Sequence, residues 1–177
     1  LALRSSLVPD LWTFMLEIYA KPGVARACLD LQDRLDLDVL LFLAVLYAAG
    51  RDCCLDAEAI RALDDGCEQW RTEVVRPLRT VRVRLKANPW IESMRPVAPF
   101  RASLKALELQ AEKLQVLALS EAMSALPRKE NRTDRQARIA AVAQLAVGHF
   151  AGSNLPERAE PALLVAEAVW LFSHEWP

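Results

Sequence analysis

Between Arg71 and Lys105 nine bases stand against two acids, and Arg76, Arg79, Arg82 and Lys86 recur there every three or four residues. That spacing brings the four cations close to one helical face. A face of this kind binds anions: a phosphate-bearing ligand, the acidic surface of a partner protein, or nucleic acid. The preceding stretch, Cys28 to Trp70, holds ten acids against three bases. The two blocks offset one another, so a solvated face complementing the acidic half of the same fold competes with any binding role. Nucleic acid fits least well, because the aromatic residues are not interleaved with the arginines and the formal net charge is −1.

The acids invite a metal reading, and most of them have a simpler one. Asp30 and Asp33 fall beside Arg26 and Arg34, where a solvated helix face is expected. Asp36 is placed to cap the next helix, with Asp38 in its first turn, where the helix dipole favours negative charge. In "DDGCE", Asp64 and Glu68 are four apart, and such a carboxylate pair can hold a hard cation through diphosphate oxygens. The motif resembles the acidic motifs of helical prenyl-diphosphate enzymes, but Gly66 is atypical and only one such motif is present. Cys28, Cys53, Cys54 and Cys67 form no C-x-x-C pair. A zinc site would have to draw His149 or His174 from far along the chain, so no metal site is expected. There is no G-x-S-x-G elbow and no phosphate-binding glycine loop. No catalytic residue or cofactor is assigned, and a non-enzymatic protein is expected.

The elements that must position these groups read as helices. The chain of 177 residues is long enough for one domain with a substantial core. Apolar residues make up 53%, dominated by Leu and Ala, with only five glycines. That composition favours helices over strands. The run from Val39 to Gly50 falls short of the roughly 20 residues that span a bilayer, and it reads as a buried core helix. Residue 1 is Leu and no signal peptide is legible; with its cysteines reduced, the protein is expected to be cytoplasmic.

A first helix is predicted over Pro9 to Lys21, capped by Ser6 or its neighbours and stopped by Pro22-Gly23. A second carries Val24, Cys28, Leu31 and Leu35 on one stripe. The third runs to Gly50 as its stop. Asp56 caps a long fourth helix with the stripe Ile60, Leu63, Cys67, Trp70, Val74, Leu78, Val81 and Leu85, which Pro77 must kink or break. "NPWIESMRPVAP", from Asn88 to Pro99, is a connection tethered by Trp90 and Ile91. The fifth helix, Phe100 to Leu126, shows two apolar seams. One is Leu104, Leu107, Ala111, Leu114 and Ala118; the other is Leu109, Val116, Leu119, Met123 and Leu126. A helix apolar on two sides is central to a bundle or shared with a second copy as a homodimer, and the core reading is preferred. After the charged loop Arg128 to Asp134, Thr133 and Gln136 form a capping box opening a sixth helix to about Phe150. A last helix starts at Pro161. His149 and His174 near the ends of these helices read as capping or surface residues.

"LWTFMLEIYAKPGVARACLDLQDRLDLDVLLFL" resembles an uncharacterised family of conserved hypothetical proteobacterial proteins, a domain of unknown function. Its pattern runs F-W-x-F-S, then Y, P-G-V, C-L-x-L-Q-D and D-V-N-L-L-L. Trp12, Phe14, Tyr19, Pro22, Gly23, Val24, Cys28, Leu29, Leu31, Gln32, Asp33, Asp38 and Val39 fit it. "WRTEVVRPLRTVRVRLK" and "LKALELQAEKLQ" fit its later helices. Leu11 stands for the usual Phe, Met15 for Ser and Leu40 for Asn. The resemblance covers Leu11 to about Leu119, implies the helical fold and carries no activity. Within it, Gln32 and Asp33 are a polar pair with either a structural bond or a functional contact to make.

The expectation is therefore an all-α, single-domain bundle over residues 1–177, of about seven helices with a proline-kinked long fourth helix. Its expected role is that of an adaptor docking an acidic protein on Arg76, Arg79, Arg82 and Lys86. The alternative is a small-ligand protein or enzyme for a phosphate-bearing or isoprenoid-like substrate, with a cavity bounded by Asp64, Asp65, Glu68 and the arginines.

Overall fold

The computed structural model describes residues 8–86, 97–128, 134–152, 159–174 and 176. Helices dominate these residues, beside one isolated bridge between Cys53 and Arg128. They are α1 (Leu11–Tyr19), α2 (Val24–Leu35), α3 (Val39–Gly50), a long α4, α5 (Val97–Ser124), α6 (Arg135–Ala151) and α7 (Glu160–Ser173). Helix α4 is built from Ala57–Trp70, a π-helical turn Arg71–Val75 and Arg76–Lys86 in direct succession. The expected Ser6 cap, the Trp90–Ile91 tether and Thr133 lie outside the described residues.

Aspartates start four of the helices. Asp10 accepts from Thr13 N at 3.0 Å, Asp56 from Ala59 N at 2.8 Å and Asp134 from Gln136 N at 3.0 Å. The cap of α3 is Asp38, which accepts from Leu40 N and Leu41 N. This corrects the assignment of Asp36, which instead closes α2 at a φ of 53°. That left-handed conformation is one aspartate tolerates better than most residues.

Helix α3 is the axis of the bundle. Every residue from Leu41 to Gly50 is buried, and α1, α5, α6 and α7 all pack against it. Phe14, Ile18, Phe42, Leu46, Ile139 and Val165 belong to one continuous core with it, so the C-terminal helices share the core of the N-terminal ones. Each such side chain contributes about 1.5–3 kcal/mol by its burial. Gly50 is less a helix stop than a close approach: a Cβ there would sit 3.1 Å from Trp176 Cζ3.

The break that Pro77 imposes takes the form of the π turn just before it. Arg76 N donates to Arg71 O, one residue further back than in an α-helix. A proline lacks the N–H that would continue the ladder, and a π turn absorbs such a misfit. It also inserts one residue, which rotates everything after it by about 100°. The buried face therefore passes from Ile60, Leu63 and Cys67 to Arg71 and Val75, not to Trp70 and Val74. Beyond the turn Val81 is exposed, while Arg79 and Arg82 face α5.

The first seam of α5 is shifted in the same sense, while Val116, Leu119 and Met123 of the second are buried as expected. Its buried stripe is Leu104, Glu108, Ala111, Gln115, Val116, Leu119 and Met123. Leu107 and Leu114, read as core partners of Leu104 and Ala111, are 52% and 55% exposed. Together with Phe100 and Leu117 they make the outer face of α5 apolar.

Candidate functional site

A cleft of about 680 Å³ opens between α1, the α2–α3 junction, the middle of α4 and α5. Its upper walls are apolar. Trp12, Leu16 and Tyr19 come from α1, Leu29 from α2 and Leu109 from α5. Leu16, Leu29 and Leu109 are 54%, 48% and 42% exposed, so the cavity shows large side chains that the core does not use.

The floor is a buried polar chain. Asp38 spends Oδ1 on capping α3, and its Oδ2 accepts from Arg71 Nη1 at 3.0 Å and Gln115 Nε2 at 2.5 Å. Arg71 Nη1 also donates to Asp64 Oδ1 at 2.5 Å, and Asp64 Oδ2 lies 2.8 Å from His149 Nε2 on α6. The side chains of Arg71, Asp38 and Asp64 are 11%, 6% and 14% exposed. Burial works against the Arg71 cation, but the Asp64 and Asp38 carboxylates outweigh it and keep the guanidinium charged. Arg71 Nε and Gln115 Oε1 find no partner among the described residues.

A polar wall rises beside this floor, where α4 meets α5. Arg79 donates through Nε to Glu108 at 3.1 Å, through Nη1 to Gln32 Oε1 at 3.2 Å and through Nη2 to Glu112 at 2.7 Å. Arg82 donates to both oxygens of Glu108. Glu108 is desolvated, yet Arg82 and Arg79 hold its carboxyl below the ordinary carboxylate value. In Glu112 burial wins and pushes the carboxyl up despite Arg79. Burial also raises the Tyr19 phenol, whose surroundings include Arg79 and Glu112.

The residues singled out in the sequence are thus distributed unevenly. Gln32 and Arg79 meet in the cleft. Arg82 stands behind that wall on Glu108, and Arg76 pairs at the rim with Asp36 at 2.6 Å, both partners well exposed. Lys86 ends α4 in an exposed position, and Asp33 is exposed. Asp65 and Glu68 are also exposed, while Asp64 turns inward to Arg71, so the cleft is bounded by the arginines without that acidic motif. Among the described residues, no three His, Cys, Asp or Glu side chains are grouped to hold a metal ion. His149 is not a surface group but the far end of the buried chain, whereas His174 does cap a carbonyl, that of Leu171.

Arg71, Asp38, Gln115, Glu112 and Tyr19 were not legible as a site. One signal for part of it exists: Glu108 and Gln115, seven apart, fall on the same stripe as Leu104, Ala111 and Leu119, which places polar groups inside a helix interface.

Among the described residues no helix is long and apolar enough to cross a membrane. No curated protein and no solved structure matches the chain. All the residues that line the cleft, from Trp12 to Gln115, fall inside the one segment for which a family is found. Residues 10–119 match the family described as "Protein of unknown function (DUF2390)", which is more than half of the chain, and the chain belongs to that family.

Proposed function

We propose that this domain binds a small molecule with an apolar body in the cleft between α1, α4 and α5. The observation that carries the reading is the exposure of Leu16, Leu29 and Leu109 inside a single concavity of about 680 Å³. That volume falls in the usual range of ligand sites, roughly 300–1,000 Å³, and apolar walls with a few convergent polar groups are their usual make-up. Docking of an acidic protein on Arg76, Arg79, Arg82 and Lys86 is less well supported. Arg79 and Arg82 already hold Glu108 and Glu112, and a partner would have to displace carboxylates that lie in the same chain.

The test is binding of Nile red, an uncharged dye whose emission rises and shifts to the blue in apolar surroundings. Wild type is expected to bind one dye per chain. Replacing exposed Leu16 and Leu109 together by Glu should weaken binding by at least about tenfold, because it removes two apolar walls without touching the core. Equal binding by wild type and the double variant, with both equally folded by circular dichroism, would refute the reading.

A further inference from the structure

The cleft contains three arginines and yet offers little to an anion. Arg71, Arg76 and Arg79 line it together with Asp36, Asp38 and Glu112, and each of these arginines already bonds one or more carboxylates. Behind them Asp64 and Glu108 add negative charge, Asp64 on Arg71 and Glu108 on Arg82. The carboxylates of the chain therefore already engage each of these guanidinium groups, and Arg71 Nε, which has no partner among the described residues, is buried. Even the carboxyl of Glu112, 2.7 Å from Arg79, is disfavoured as an anion by its burial. A second anion brought to the same place meets the same desolvation together with repulsion from Glu112.

What stays open beside the apolar walls is an amide donor, a carboxylate acceptor and a phenol hydroxyl. Gln32 Oε1 is taken by Arg79, but no described residue accepts from its Nε2. Glu112 receives Arg79 on Oε1 and has no described donor on Oε2. The Tyr19 hydroxyl, which can donate and accept, bonds no described residue and shares this region. Gln32 and Glu112 sit on the two terminal nitrogens of one planar guanidinium, which holds an amide donor and a carboxylate acceptor at fixed separation.

We infer that the cleft's ligand, as read above, carries an uncharged head that accepts a hydrogen bond from Gln32 and donates one to Glu112, as an alcohol or a primary amide does. Phosphate-bearing ligands, one branch of the expectation from sequence, are selected against. The inference rests on the cleft being a small-molecule site.

The experiment is displacement of Nile red from the full chain by four probes of equal chain length: nonanol, nonanamide, nonanoate and nonyl phosphate, at neutral pH. Nonanol and nonanamide are expected to displace the dye at concentrations about tenfold lower or more than the two anions. Gln32→Leu should weaken nonanamide about tenfold more than it weakens Nile red, since the hydrogen bond lost is one that the amide head uses. Glu112→Gln should bring nonanoate closer to nonanamide by removing the repelling charge. Anions that displace as well as the neutral probes, or a Gln32→Leu variant with wild-type preference, would overturn the head-group assignment while leaving the apolar site intact. Failure of Nile red to bind at all would overturn the binding role itself, and the head-group assignment with it.

Discussion

Replacing Asp38 by alanine removes two supports with one side chain. The first is the cap of α3: Oδ1 accepts from Leu40 N at 2.9 Å and Leu41 N at 3.3 Å. Loss of such a cap costs about 1 kcal/mol. The second is the buried contact of Oδ2 with Arg71 and Gln115. Removing one partner of a buried ion pair costs about 3–5 kcal/mol, because the other charge is left without compensation. Arg71 keeps Asp64, so the lower end applies. The sum is about 4 kcal/mol, against a total stability of roughly 5–15 kcal/mol for a domain of this kind. Urea denaturation followed by circular dichroism reads the change directly, with the slope checked for two-state behaviour. Asp38→Asn separates the two supports. The amide oxygen can still cap α3, but the charge is gone and an N–H is turned toward two donors. Its expected loss is about 2–3 kcal/mol. A loss below about 1.5 kcal/mol for Asp38→Ala would mean that only the cap counts, and the reasoning about the buried chain would be wrong.

Reversing Arg79 and Arg82 to Glu should lower stability by about 3 kcal/mol or more, since Glu108, 6% exposed, then loses both counter-charges; an unchanged melting temperature in calorimetry would show that these pairs are idle. Glu108 has a lowered folded pKa, so its stabilisation is complete above the ordinary value of 4.5 and disappears as pH falls through the lower folded value. Wild type should therefore lose an acid-side increment in denaturation curves that Glu108→Gln does not lose. Glu112 has the opposite sign: its contribution is fullest below 4.5 and declines as pH rises through its raised folded value, so Glu112→Gln should gain on wild type between acid and neutral pH. All four cysteines are free; Cys54 is half-buried, whereas Cys28 and Cys67 are buried with thiols pushed up to about 12 and about 11. Iodoacetamide labelling read by mass spectrometry should modify Cys54 first and reach Cys28 and Cys67 only on unfolding; early labelling of Cys28 would contradict the packing around it.

The helices were legible because their signals are local. Apolar periodicity, aspartate caps and Pro22-Gly23 act within a turn or two, and α2, α3 and the start of α4 follow from them. What sequence reading missed shares one cause. A single extra residue in the π turn cannot be seen in a pattern of threes and fours, yet it decides which face of α4 meets α5. Read as uninterrupted, α4 points Val74, Leu78, Val81 and Leu85 at the bundle and leaves the arginines in solvent. Arg71 faces inward four residues after Cys67, the π turn brings Arg79 and Arg82 inward as well, and Glu108 and Glu112 answer these two from α5. Gln32 was singled out as polar without an evident task, and its contact with Arg79 spans 47 residues, a separation that no local pattern encodes.

That choice of face also bears on function. Helix α4 carries an apolar stripe that would have continued the core, and α5 carries Leu107 and Leu114 on one side. Both Val81 and these leucines are turned to solvent, while beyond the π turn α4 is tied to α5 by ion pairs of Arg79 and Arg82 with Glu108 and Glu112. Stability alone gives little reason for this, because apolar residues of similar volume often replace buried ion pairs at no loss. A fold that sets aside its simplest packing in one place commonly does so at a functional site. Here that place is the wall of the cleft, where Arg79 holds Gln32 and Glu112 apart and leaves Gln32 Nε2 and Glu112 Oε2 without described partners.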